Sequence, residues 1–189
     1  MKGQTPEKEI FQNTDFASQK PERRDFEDCE LVNCSFASFS HYNFTDCVFK
    51  NCNLSNINAD SCKMNNLVFS GCKLLGINFS RTRDFGFAVS FVDCNLEYAS
   101  FDQKKMNASR FENCKLHSVN FTRADLSKTK LTNCDLYEAV FDQTNLSTVD
   151  FTSCKNFMID PEMNNLKKAK FAAPDLAGLL YRYDLVIIP

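Results

Sequence analysis

The sequence predicts an all-β solenoid, a chain wound as a square coil with four five-residue faces per turn. Three observations carry that prediction. From Phe91 onward every fifth residue is apolar: Phe91, Leu96, Phe101, Met106, Phe111, Leu116, Phe121, Leu126, Leu131, Leu136, Phe141, Leu146 and Phe151. The residue two places before each of these is small or medium-sized, with Lys104 the one exception. All ten cysteines (Cys29, Cys34, Cys47, Cys52, Cys62, Cys72, Cys94, Cys114, Cys134 and Cys154) occupy that same slot, the last of them where the pattern fades at Asn156.

A period of five is neither the 3.6 of a helix nor the 2 of a flat strand. It suits a square coil in which the large centre and the small residue two before it point inward, leaving three residues for water. The period extends towards the N-terminus. Phe44, Phe49, Leu54, Ala59, Met64, Phe69, Leu74 and Phe79 form a second run. Phe26, Leu31 and Phe36 form a third, reaching back through Pro21 to Phe16 and Phe11.

These residues resemble the pentapeptide repeat family, whose pattern is A(D/N)LXX. Ala124-Asp125-Leu126, Cys134-Asp135-Leu136 and Cys94-Asn95-Leu96 are good copies. The resemblance implies a right-handed quadrilateral β-helix over residues 9–156, with residues 1–8 as an N-terminal tail and 157–189 as a C-terminal module. The spacing itself gives the five-residue period but not the hand.

Cys94, Cys114, Cys134 and Cys154 lie one full coil, or four quintets, apart, as do Cys52 and Cys72. Correcting for slips in the frame places Cys29 below Cys52 and completes one inward column of seven thiols. Small apolar packing between Phe and Leu layers explains such a column. The alternatives are disulfides, which need matched Cβ geometry and an oxidising compartment, and soft-metal binding, which needs converging thiolates. No CxxC pair or Cys/His cluster is present, so no metal site is expected.

The frame slips twice, near 37–43 and near 80–88. Counting from Phe36 to Phe44 gives three extra residues, and from Phe79 to Phe91 two. Extra residues in a stacked coil are expected to bulge outward, because the coils on either side still pair. The second slip gathers Arg81, Arg83, Phe85 and Phe87. This cluster reads either as a partner-binding loop or as a tolerated insertion with some Phe folded inward. Lys104 falls in an inward slot one coil above Asp84, which is placed to pair with it; the alternative is a local bulge that turns the lysine out.

After Asn156 the C-terminal module reads as a short α-helical cap. Asp160-Pro161-Glu162 carries helix-start signals. Leu176, Leu179, Leu180 and Tyr183 make a second helical stripe, and Leu185-Val186-Ile187-Ile188 suits a strand. Capping an open solenoid end is one use for these residues. A two-fold homodimer through Leu176, Leu179, Leu180, Tyr183 and Ile187 is the other. The tail resembles that of the quinolone-resistance (Qnr-type) pentapeptide proteins at Leu179-Leu180 and Ile187-Ile188, and in that group the module is the dimer interface.

The chain's 189 residues make one domain the first expectation. Its 22 basic and 24 acidic residues give no pull towards nucleic acid or an anionic membrane. No stretch is long and apolar enough for a span, and residues 1–10 lack a signal peptide's apolar core. His41 and His117 neighbour no nucleophile, and the five glycines form no phosphate loop. Neither catalysis nor a cofactor is therefore expected. A cytoplasmic protein-interaction scaffold is the leading functional expectation. The resemblance to the Qnr group implies an alternative, a bacterial DNA mimic that binds DNA gyrase or topoisomerase IV, type II topoisomerases, and relieves quinolone poisoning. From Asp84 to Asp160, however, eleven acids stand beside eight bases, with no continuous acidic column.

Overall fold

The computed structural model describes residues 8–18 and 22–188; most of the expected N-terminal tail lies outside them. Ten short strands alternate with turns: β1 (Glu9–Gln12), β2 (Asp25–Glu27), β3 (Cys29–Val32), β4 (Asn43–Thr45), β5 (Val48–Lys50), β6 (Lys63–Asn65), β7 (Leu67–Ser70), β8 (Val89–Val92), β9 (Arg110–Glu112) and β10 (Lys130–Thr132). They stack as one seven-stranded sheet, β1-β3-β5-β7-β8-β9-β10, and one three-stranded sheet, β2-β4-β6. Each strand pairs in parallel with its counterpart one coil later. On the other faces the ladder consists of single parallel bridges such as Asn95↔Lys115 and Asn120↔Val140.

Two local rules turn the sequence into this coil. The first acts at the corners, where the residue two after a centre adopts the left-handed conformation. At one corner these residues are Asn13, Asn33, Asn51, Gly71, Asp93, Asn113 and Asn133, all with φ between 52° and 62°. Asn and Asp tolerate that region better than other side chains. Their amides also tie coil to coil: Asn113 donates to Asp93 at 3.0 Å and Asn133 to Asn113 at 3.1 Å.

The second rule acts just before the centre. An Asn or Asp there accepts the N–H of the residue two later, as in Asn95 with Glu97 (3.0 Å) and Asp125 with Ser127 (3.0 Å). This Asx turn replaces strand geometry. Faces with Val48, Val68, Arg110 or Lys130 in that position stay extended.

Both frame slips are present, but the first has the opposite sense to the one expected. Leu31 stands beside Phe49, so that coil falls two residues short of four quintets. Nothing bulges outward: Phe39 turns inward as the centre of the third face and is fully buried. Cys34, not Cys29, therefore lies below Cys52, and Cys29 lies below Cys47. The second slip does lengthen its coil, by two residues, with Phe69 beside Phe91.

The C-terminal region also differs from expectation. The coil runs past Asn156, with bridges Asn145↔Asn165 and Asp150↔Lys170, and Leu166 and Phe171 pack against the core. Asp160 starts no helix; its carboxylate accepts the Glu162 N–H at 2.9 Å and pairs with Arg182. The short helical cap follows later, as 3-10 turns Ala173–Leu179 and Tyr181–Tyr183. It approaches the last coil closely at Gly178, whose carbonyl accepts the Ile159 N–H at 3.0 Å. A Cβ on Gly178 would come within 2.3 Å of the Phe157 carbonyl. Residues 184–188 form no strand and lie exposed.

The interior is two columns of stacked rings. Phe49, Phe69, Phe91 and Phe111 stack at 5.0–5.3 Å, and Phe79, Phe101, Phe121 and Phe141 at 4.6–5.4 Å. The columns meet edge to face, as at Phe111 and Phe121 (6.1 Å), a favourable aromatic geometry. All ten cysteines are buried and unbridged. Thiols of one column donate to carbonyls of the coil before, Cys94 to Phe69 at 3.4 Å and Cys114 to Phe91 at 3.5 Å. Burial pushes the Cys47 thiol up to about 11 and that of Cys62 to about 12, so both stay protonated and unreactive.

Two outcomes are expected. Phe121→Ala empties a site between two stacked rings and should cost ~3–5 kcal/mol in urea unfolding, whereas outward His117→Ala should cost less than ~1 kcal/mol; equal shifts would contradict the register. Thiol titration without reductant should find no fast-reacting group in the native protein and ten after denaturation.

Candidate functional site

The loop at the second slip is the most sharply built feature of the surface. Residues Phe79–Arg81 form a 3-10 turn, with Asn78 accepting from the Ser80 N–H. Ser61 donates to the Arg81 carbonyl and Arg83 to that of Cys62, both at 2.9 Å, which holds the loop's first limb on the coil before. Asp84-Phe85-Gly86-Phe87 then makes a tight turn, closed by the Phe87 N–H on the Asp84 carbonyl at 3.2 Å. Gly86 supplies the left-handed residue at φ +73°.

That turn separates the phenylalanines. Phe85 sits at the tip and is 90% exposed, while Phe87 is buried against Phe79. Arg81 and Arg83 are exposed, and Arg81 lies 3.5 Å from Asp60. The loop thus presents Arg81, Arg83 and Phe85, whereas Phe87 belongs to the core.

Lys104 anchors the turn from the coil above. Its ammonium donates to Asp84 at 2.6 Å and to the Thr82 carbonyl at 2.7 Å, and lies 4.9 Å from the Phe87 ring centre. The lysine side chain is 2% exposed and the aspartate 86%. The expected ion pair is present: a buried cation holds both limbs of an exposed turn. Beside it, over β2, β4 and β6, runs a groove of about 560 Å³ lined by Arg23, Asp25, Asn43, Lys63 and Arg83 among others.

At the C-terminal end Leu179 packs on the core, while Leu176, Leu180, Tyr183 and Ile187 are exposed. They sit among further exposed apolar residues, Tyr181, Leu185, Val186 and Ile188.

The outer faces carry charges paired across coils: Lys50 with Glu30, Lys115 with Glu97, Arg123 with Asp102, Lys155 with Asp135 and Lys170 with Asp150. His117 points outward as expected but lies between Glu97 (3.7 Å) and Asp135 (3.1 Å). Partial burial pushes the Asp135 carboxyl up, but the Asn156 amide, His117 and Lys155 outweigh it and hold the group at about 2. Among the described residues no group of three or more His, Cys, Asp or Glu is placed to hold a metal ion. No helix there is long and apolar enough to cross a membrane.

A parallel coil of five-residue faces, stacked strand on strand, defines the class of β-solenoid proteins. Comparison with known proteins gives the family. The model for "Pentapeptide repeat region" matches residues 104–179 and that for "Pentapeptide repeats (8 copies)" residues 28–66. The chain belongs to the pentapeptide repeat family, and its fold is the right-handed quadrilateral β-helix. Two trypsin-treated forms of QnrB1, a plasmid-mediated fluoroquinolone resistance protein, are 17% and 18% identical, with TM-scores of 0.53 and 0.50 over 95% of this chain and 98% of theirs. Full-length QnrB1 is 14% identical, with a TM-score of 0.50 over 93% of this chain and 97% of its own. No curated protein matches the sequence.

Removing the anchor should free the loop. Lys104→Ala is expected to raise the rate of trypsin cleavage after Arg81 and Arg83 by ~10-fold or more through local opening. Asp84→Asn should raise it less, because Thr82 and Phe87 still hold the ammonium. Peptide mapping of timed digests checks both, and unchanged cleavage in Lys104→Ala would remove the anchoring role.

Proposed function

We propose that this chain is a non-catalytic protein-interaction scaffold, cytoplasmic and bacterial, that binds its partner through Arg81, Arg83 and Phe85 and pairs with a second copy through its C-terminal end. One observation carries the reading: acids along the outer faces are interrupted by bases, with Glu30, Glu97, Asp102, Asp135 and Asp150 each paired with a Lys or Arg one coil away. Imitation of duplex DNA requires a continuous negative stripe, and a matched surface supplies none. A long rigid rod with one anchored loop suits recognition of a protein instead. An exposed aromatic flanked by two arginines is a common make-up of binding hot spots.

A column of buried, unbridged thiols supports a reducing compartment. The exposed Leu176, Leu180, Tyr183 and Ile187 support the homodimer, since one solenoid end does not need them for its own cover. The likeness to QnrB1 concerns the fold, so a type II topoisomerase enters as an outcome of the test.

Immobilised full-length chain is exposed to bacterial extract beside Arg83→Glu/Phe85→Ser, and the captured proteins are identified by mass. The scaffold reading expects a defined partner held by the wild type and lost in the variant. Capture of DNA gyrase or topoisomerase IV, competed by duplex DNA, would favour the DNA-mimic reading. Identical capture by both chains would remove the loop from recognition. Light scattering tests the dimer: Leu180→Asp should give monomers, and a wild type monomeric at high micromolar concentration would remove it.

A further inference from the structure

The coil ladder opens between β10 and the residues one coil above it. Two backbone hydrogen bonds should close that rung, from the Leu131 N–H to the Asp150 carbonyl and from the Asp150 N–H to the Thr129 carbonyl. Neither forms, although the equivalent pairs form on both neighbouring faces, at Leu136 to Lys155 and Leu126 to Asn145 (2.9 Å each). The cause is local. Asp150 brings an Asx turn, with its carboxylate accepting from the Thr152 N–H at 3.0 Å, into a face that is strand at Arg110 and Lys130. An Asx turn does not lie flat on a strand, and the rung splits.

A cleft of about 460 Å³ fills the split. Lys128 and Lys130 stand on its lower wall, Thr148, Thr152 and Ser153 on its upper wall. Neither lysine forms an ion pair among the described residues, and Lys130 lies directly beside Arg110 of the coil below. The one acid in the cleft, Asp150, is engaged by Thr152 and by Lys170 at 3.4 Å.

The third face shows what such a split needs. Its rung between Phe141 and Asp160 is also open, and the Asn164 side chain plugs it. Asn164 donates to the Phe141 carbonyl at 3.0 Å and to that of Asp160 at 2.9 Å, and accepts the Thr144 N–H at 2.9 Å. In the first-face cleft side chains bridge only the rims, where Thr148 donates to the Ser127 carbonyl at 2.7 Å and the Ser153 hydroxyl accepts the Asn133 N–H at 3.1 Å; no side chain plugs the Leu131 and Asp150 peptide groups between them, and peptide groups require partners.

We propose that this cleft binds a small phosphate monoester bearing neighbouring hydroxyls. The two lysines and the unpaired Leu131 and Asp150 N–H groups would hold the phosphate, as donors and positive charge do elsewhere. The ligand's hydroxyls would donate to the unpaired Thr129 and Asp150 carbonyls. A cleft of this size matches a small-molecule site. Water satisfies the peptide groups equally well but leaves the two lysines unmatched, since Arg110 beside them is already paired with Glu112.

Ribose 5-phosphate is the probe, with ribose and inorganic phosphate as controls, each titrated into the full chain and read from backbone amide shifts. Saturable shifts at Leu131, Thr132 and Asp150 are expected with ribose 5-phosphate. Each control should bind at least ~10-fold more weakly, because half of the donor and acceptor set goes unused. Lys128→Ala/Lys130→Ala should lose the shifts while the melting temperature holds, and Lys167→Ala/Lys168→Ala should keep them. Equal binding of all three probes, shifts spread over all surface lysines, no saturation, or an unaffected Lys128→Ala/Lys130→Ala variant would each overturn the proposal.

Discussion

The structure depends on how little room the coil encloses. Each face can send only two side chains inward, one large and one small, and the next coil lies a single strand spacing away. Rings such as Phe101, Phe121 and Phe141 must then lie flat on one another. The second slot mostly holds something small, a thiol, an alanine, a valine or a threonine, with Ile57, Leu67 and Ile77 as larger apolar occupants. Cysteine fits as a compact, weakly polar group whose S–H can reach a carbonyl of the coil below. Threonine does the same job at Thr129 and Thr144, donating to Met106 and Phe121 at 2.8 Å. Lysine fits the slot only because its length carries the charge out to Thr82 and Asp84.

The same narrowness made much of the fold legible in the sequence. A slot that favours small residues repeats visibly, so the centres from Phe91 to Phe151 and the thiol slots could be read directly, while the Lys104–Asp84 pair stood as one of two open readings until the structure decided it. What escaped has physical reasons. A gain of three residues and a loss of two leave the same remainder on division by five, so spacing alone did not reveal the short coil or the inward Phe39. Asp160-Pro161-Glu162 misled because an N-cap and an Asx turn use the same carboxylate-to-N–H contact. With Asn156 and Pro161 in place of two apolar centres, the last coil was hidden, although Leu166 and Phe171 keep its register. Of the candidate loop, composition gave the cluster, but only the turn around Gly86 decides that Phe85 faces out and Phe87 in. The cleft above β10 had a visible signal, Asp150 in a position held by Arg110 and Lys130 below, whose meaning needed the turn rule.

The outer surface follows a different logic from the interior. Side chains there meet neighbours one full coil away along the chain, so each coil can carry its own charges provided the next coil answers them, as Glu97 and Lys115 or Asp135 and Lys155 do. Such pairs add little stability each, but they interrupt runs of negative charge along the faces they occupy. In the proposed function recognition falls to a place where the repeat is interrupted, and the anchored loop is the best-defined of these.

The split rung also divides the rod mechanically. Two of the four faces lose their central backbone rung there; the Asn164 side chain and the corner bond from Gln143 to Met163 bridge one, and the Thr148 and Ser153 hydroxyls bridge the rims of the other. The last coil and its cap therefore hang on the second and fourth faces, through bonds such as Leu136 to Lys155 and Leu146 to Asn165, and on the edge-to-face contact of Phe141 with Phe151. In hydrogen-exchange terms they form their own foldon, opening at lower free energy than the coils beneath. Heat or force should peel this end first, carrying away the exposed apolar residues around Leu180 while the anchored loop stays in place.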